Sequence, residues 1–231
     1  MKTFLAAILL ALISAVGGGA VLAPALSPSG GAAMAQEAAA DDAADDAAAA
    51  DAAEEAVVIP EMALGAEDAP VTVIEYASFT CPHCAAFHAD QFKRLKADYI
   101  DTGKVRFIYR EVYFDRFALW ASMVARCGGE MRFFGITEML YSQQEEWIAG
   151  GDPVAISDNL RRIGRTAGMD DATLDACLTD EATAQALVAW FQENAAADGV
   201  ESTPTLIIGG QKHSNMPYEE LSALIDAALE G

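Results

Sequence analysis

The chain has 231 residues, is 53% hydrophobic, and carries 35 acidic against 14 basic side chains, a formal net charge of −21. Eight of those acids and one base lie before Val57, so the remaining 175 residues keep 27 acids and 13 bases, and the excess is not confined to one tail. Without a basic stripe such a surface is set against nucleic acid and anionic lipid, while 175 residues suffice to bury a core.

In chain order, Lys2 precedes a 13-residue apolar run, Phe4 to Val16, and Ala33-Met34-Ala35 offers a small-x-small cleavage site. Residues 1–35 therefore read as an export signal. The apolar stretch can also be followed to Leu26, which leaves an uncleaved membrane anchor as the alternative. Either way the cysteines lie outside the cytoplasm, where disulfides persist. Residues 36–56 interleave alanine with eight acids and no base, a composition expected to form a disordered acidic linker. Residues 57–231 follow as one folded domain.

Within it, Val71 to Ala77 is a near-continuous apolar run, expected to be a strand buried on both faces. Phe79-Thr80-Cys81-Pro82-His83-Cys84 comes next, and a helix is predicted from Cys81 to Ile100. Gly103 punctuates, and Val105 to Val112 reads as a second strand, so the three elements form a right-handed parallel βαβ unit. Helical patterns then occupy Phe117–Cys127, Met131–Trp147, Val154–Ala167, Asp171–Leu178 and Glu181–Asp198. A strand returns at Thr205–Ile208, turns at Gly209-Gly210 and pairs through Gln211–His213. Pro217 opens a terminal helix over Tyr218–Leu229. The fold class is α/β, a small sheet interrupted by a helical insertion at about 115–198.

The paired cysteines carry the chemistry. A strand feeding a helix puts both sulfurs in the first helical turn, where free N–H groups and the positive end of the macrodipole favour a thiolate. Pro82 suits the first helical position and makes Cys81 the N-cap. Cys81 is then the nucleophile, and Cys84, three residues on, points inward as the resolving thiol. His83 between them is placed to stabilise the Cys81 thiolate. Zinc is the competing chemistry, with Cys81, Cys84 and His88 as ligands, but a fourth ligand is missing and Pro82 suits redox better. His88 otherwise reads as a packed or surface histidine. Cys127 and Cys177, both in the helical block of an exported protein, are expected to form a structural disulfide rather than remain free thiols. Trp120, Met123, Phe133, Phe134, Met139 and Trp147 are expected mostly in the core. No cofactor is expected, because the dithiol is itself the redox group.

Cys81-Pro82-His83-Cys84, Glu75 six residues before Cys81, and Thr203-Pro204-Thr205 before the late strand together resemble the DsbA family of periplasmic thiol oxidoreductases, over about Val57 to Gly231. The resemblance implies a thioredoxin fold with a helical-domain insertion and a Thr203–Pro204 bond that is cis beside the redox site. It implies a buried acid at Glu75 that exchanges a proton with Cys84; the alternative places Glu75 on a solvated sheet face. If Glu75 is buried, desolvation would favour its neutral form. The implied activity introduces disulfides into reduced exported proteins, with a DsbB-like membrane partner as reoxidant and a monomeric enzyme. Thr203 departs from the valine of the best-known members, so a disulfide isomerase or reductase of the same fold stays open, as does a thiol-based metallochaperone.

Overall fold

The computed structural model describes residues 57–231; the export signal expected at 1–35 and the acidic linker at 36–56 lie outside them. Five strands, β1 (Met62–Leu64), β2 (Val71–Ala77), β3 (Val105–Glu111), β4 (Thr205–Ile208) and β5 (Gln211–Ser214), form a mixed sheet in the order β1-β3-β2-β4-β5. β2 and β3 are parallel, with Val73 beside Phe107 and Glu75 beside Tyr109, and the other neighbours pair antiparallel. β2 is covered fully on one face, by Val71, Val73, Glu75 and Ala77. On the other face Thr72 and Ile74 are only half-buried, so burial on both faces is reached only at the Tyr76 end. β1 has no counterpart in the sequence reading, since three residues are too few to display an alternation.

The helix expected from Cys81 to Ile100 is broken. α1 (Pro82–Ala89) ends at Asp90, whose φ of −127° and ψ of −70° are not helical; α2 (Gln91–Leu95) follows and finishes in one wide π turn, Lys96–Ile100. The break and the wide turn re-phase the apolar face. Cys84, Phe87 and His88 before the break and Leu95, Tyr99 and Ile100 after it are all buried.

Between β3 and β4 the chain builds α3 (Arg116–Cys127), α4 (Glu130–Ser142), α5 (Gln144–Trp147), α6 (Pro153–Thr166), α7 (Asp171–Leu178) and α8 (Glu181–Ala197). The single helix expected over Met131–Trp147 divides at Gln143 into α4 and α5. Four of these helices start on an aspartate whose carboxylate accepts first-turn N–H groups: Asp115, Asp152, Asp170 and Asp180. Part of the acidic excess is therefore capping chemistry, which satisfies donors no helix can satisfy internally. A disulfide joins Cys127 at the end of α3 to Cys177 in α7, with Cα atoms 6.0 Å apart. Phe133, Leu140, Trp147, Ile156 and Leu160 from this block fuse with the sheet residues into one core, closed by Leu221 and Ile225 of α9 (Tyr218–Glu230). Met123 is also buried, whereas Trp120, Phe134 and Met139 pack half-buried at the edge of the core. Among the described residues no helix is long and apolar enough to cross a membrane.

Candidate active site

β2 runs into a turn at Ser78–Cys81, and α1 starts where that turn ends. Cys81 is the N-cap with extended backbone (φ −84°, ψ 118°), and Pro82 occupies the first turn, where its fixed φ fits and its missing N–H is not needed. The Cys81 carbonyl accepts from the N–H groups of Cys84 and Ala85 at 3.1 and 3.2 Å. Cys81 is half-buried and Cys84 fully buried, which separates a reachable sulfur from an enclosed one. The Thr203–Pro204 peptide is cis. Across the site Cys81 Sγ lies 3.5 Å from the Thr203 carbonyl oxygen, to which it donates only while protonated, and Pro204 is buried beside half-buried Thr203.

The two sulfurs have opposite electrostatics. Cys81 falls from an ordinary 9.0 to about 5, chiefly because the Cys84 thiol hydrogen-bonds to its sulfur. The Thr203 hydroxyl and the N–H groups of Cys84 and His83 add to this, and partial burial opposes it. Burial pushes Cys84 far above the ordinary thiol range, and its bond to Cys81 and the charge of Glu75 push the same way. The pair is thus one thiolate and one buried thiol. His83 itself is exposed on the first turn, with its backbone N–H directed at the Cys81 sulfur.

Beneath the pair, Glu75 is 0% exposed on the core side of β2, which overturns the solvated-face alternative. Its Oε2 lies 2.8 Å from His88 Nε2, while its Oε1 accepts no hydrogen bond from the protein. The sequence reading did not join these two residues. The available signal was spacing, since Cys84 and His88 are four residues apart and share one face of α1. The His88 ring stacks on Tyr141 at 4.4 Å and on Phe92 at 4.6 Å. The Tyr141 hydroxyl lies 2.6 Å from that of Tyr109 and donates to the Ser78 carbonyl at 3.3 Å. Burial drives both phenols well above their ordinary range, so they stay neutral. Among the described residues no three His, Cys, Asp or Glu side chains converge on a metal position.

Two further residues hold the turn, and neither is legible in the sequence. Gln144 Nε2, buried at the start of α5, donates to the carbonyls of Phe79 at 2.7 Å and Cys81 at 3.1 Å. The Thr80 hydroxyl donates at 2.7 Å to Asp115 Oδ2, while Asp115 Oδ1 caps α3. The helical insertion therefore clamps the redox turn from two sides.

The sheet order, the cis Thr203–Pro204 peptide and the dithiol at the head of α1 agree with a family comparison, in which residues 57–227 match the model of the family described as Thioredoxin. The chain belongs to the thioredoxin family. Within that family it is 33% identical over 171 residues to a putative protein-disulfide oxidoreductase of Rickettsia bellii, covering 74% of this chain and 65% of the relative. It therefore spans less than two thirds of that relative's length. It is 29% identical over 177 residues to the disulfide bond formation protein D of Bacillus subtilis, covering 73% of this chain and 77% of that one. Among solved thioredoxin-fold structures, the alpha-DsbA1 of Wolbachia pipientis superimposes with a TM-score of 0.68 at 25% identity, over 75% of this chain and 93% of that one. The thioredoxin fold with a helical insertion is thus shared with DsbA proteins.

Proposed function

We propose that the chain is a thiol:disulfide oxidoreductase that introduces disulfide bonds into exported proteins by exchange at Cys81 and Cys84. The observation that carries the reading is the split between a half-buried thiol lowered to about 5 and a buried one raised far above its usual range. A client thiolate attacks Cys81 Sγ, the Cys81–Cys84 bond breaks, and its electron pair goes to the Cys84 sulfur, which takes up a proton. A second client thiolate then attacks the client sulfur of the mixed disulfide, the client disulfide forms, and Cys81 leaves as a thiolate. Two electrons have passed from the client to the pair. Since only the reduced form contains the stabilised thiolate, whatever favours that thiolate makes the disulfide a stronger oxidant.

In this reading Pro82 and His83 shape the turn that offers N–H donors to Cys81. Thr203 and Pro204 present a backbone edge against which an extended client segment can pair. Glu75 exchanges the proton of Cys84. The export signal at 1–35 delivers the domain to the periplasm, or anchors it to the inner membrane facing that space. The 36–56 segment acts as a tether. Reduced exported proteins are the substrates, a DsbB-like membrane protein is the reoxidant, and the enzyme acts as a monomer.

Thr203 supports a second reading, a disulfide isomerase or reductase, because its hydroxyl bears on Cys81 and tunes the exchange. That hydroxyl nevertheless lowers Cys81 together with the Cys84 thiol and the N–H groups of Cys84 and His83, so its effect on the thiolate works in the oxidising direction. The metallochaperone reading is weakened at His88, the third ligand considered with Cys81 and Cys84, whose Nε2 is bonded to Glu75. Two assays on one substrate decide: oxidation of the reduced unfolded protein, and reactivation of the same protein with scrambled disulfides. Oxidation is expected to dominate. Efficient reshuffling with background oxidation overturns the oxidase reading.

A further inference from the structure

The reaction proposed above leaves a proton problem at Cys84. Each time the Cys81–Cys84 bond opens, a fully buried sulfur must gain a proton, and each time it closes that sulfur must lose one. The mouth of the site, at Cys81 and the Thr203 edge, is where a client sits during that step. A second opening exists. Between α1–α2 and α4 lies a cleft of about 430 Å³. His88 and Tyr141 form its floor, exposed Lys93, Gly135 and Glu138 its rim, and none of Cys81, Pro82, His83 or Thr203 lines it. The same His88 reaches Glu75 at 2.8 Å on its inner side, and Glu75 is close enough for its charge to bear on Cys84.

We propose that this lateral cleft is the proton port of the redox site, with His88 passing the Cys84 proton between the buried Glu75 carboxylate and water in the cleft. On opening of the disulfide, the Cys84 thiolate takes the proton held between Glu75 and His88, and water in the cleft restores it. On reoxidation, Cys84 gives its proton to Glu75 and His88 releases one outward. No electron moves in the relay, and the proton count balances in both directions. The geometry suits the role. Imidazole has two nitrogens, so it can accept on one side while donating on the other. Its plane is fixed between Tyr141 and Phe92. The charged or titratable groups around it are Glu75 and Cys84 inside, Tyr109 and Tyr141 as buried neutral phenols, and Lys93, Lys96, Asp101 and Glu138 along the cleft. Gly135 lines the cleft, and a Cβ there would meet no atom within 4 Å, so a larger side chain can be introduced at this point without a clash at its Cβ.

The proposal rests on the dithiol–disulfide reading, and its test separates the two. Reduction of the Cys81–Cys84 disulfide by dithiothreitol is followed by acid quench and mass spectrometry in wild type, His88→Gln and His88→Ala. Gln keeps a donor to Glu75 and the packing but cannot relay a proton, so His88→Gln is expected to fold and to react at least tenfold more slowly. His88→Ala is expected to be slow and to be rescued by added imidazole, and His88→Ala with Gly135→Leu to lose that rescue. A wild-type rate in His88→Gln, or no imidazole rescue of folded His88→Ala, overturns the proton port while leaving the exchange reading intact. No exchange in the wild type overturns both.

Discussion

Cys81 and Cys84 are separated by two residues, yet one is held as a thiolate and the other as a thiol. Position in the first helical turn explains the difference. The N-cap sulfur collects donors from Cys84, Thr203 and His83, whereas the sulfur three residues on is turned into the core above Glu75. In the reduced protein, iodoacetamide should therefore label Cys81 alone, with a rate that rises through a midpoint near 5. Mass spectrometry across a pH series reads this directly, and a midpoint near the ordinary 9.0 or labelling at Cys84 first would contradict the assignment. The same titration acts on stability. A thiol whose folded value is depressed contributes stability that is complete above the unfolded value of 9.0 and disappears as the pH falls through about 5. The melting temperature of the reduced protein relative to the oxidised one should thus rise as the pH is raised from 5 to neutral, and a difference that does not change over this range would contradict the depressed value.

At the scale of elements, the redox turn is held by helices that follow it in the chain. Asp115 does two things at once, capping α3 through Oδ1 and binding the Thr80 hydroxyl through Oδ2. Asp115→Ala should lower stability by about 0.5–2 kcal/mol, the range for loss of an N-cap. Asp115→Asn keeps an acceptor and should lose less; urea unfolding of both variants, with equal m-values, checks the order. A loss below about 0.3 kcal/mol in Asp115→Ala would mean that the cap is redundant. The aspartate starts of α6, α7 and α8 were open to the same reading from sequence, since Asp before an apolar-periodic segment is a start signal. The break of the long helix at Asp90 and the split at Gln143 were not. Periodicity reports which residues are apolar, and α1 with α2, like α4 with α5, keeps its apolar residues on one side despite the interruption.

For the whole molecule, the Cys127–Cys177 bond ties α3 to α7 across a sequence separation of 50. Closing such a loop stabilises by about 4 kcal/mol in the chain-entropy model. Replacing both cysteines by alanine should lower the unfolding free energy by an amount of that order, while the reduction potential of Cys81–Cys84, outside the closed loop, should stay unchanged. Chemical denaturation and equilibration against glutathione measure the two quantities separately. A shifted potential with unchanged stability would reverse the assignment.

The strand into Cys81-Pro82-His83-Cys84, the helix it opens, the parallel βαβ unit and the late hairpin were all legible in the chain, because local hydrophobic period and proline placement determine them. The proposed roles of Cys81 as nucleophile and Cys84 as resolving thiol follow from the same local logic. The burial of Glu75, its pairing with His88, the hold of Gln144 on the turn and the lateral cleft were decided only by the tertiary structure. Each depends on which residues distant in sequence are packed against one another: β2 against α1, and α5 against the turn. Spacing along one segment does not encode such contacts, since a polar residue within an apolar pattern reads the same whether it faces water or a buried partner.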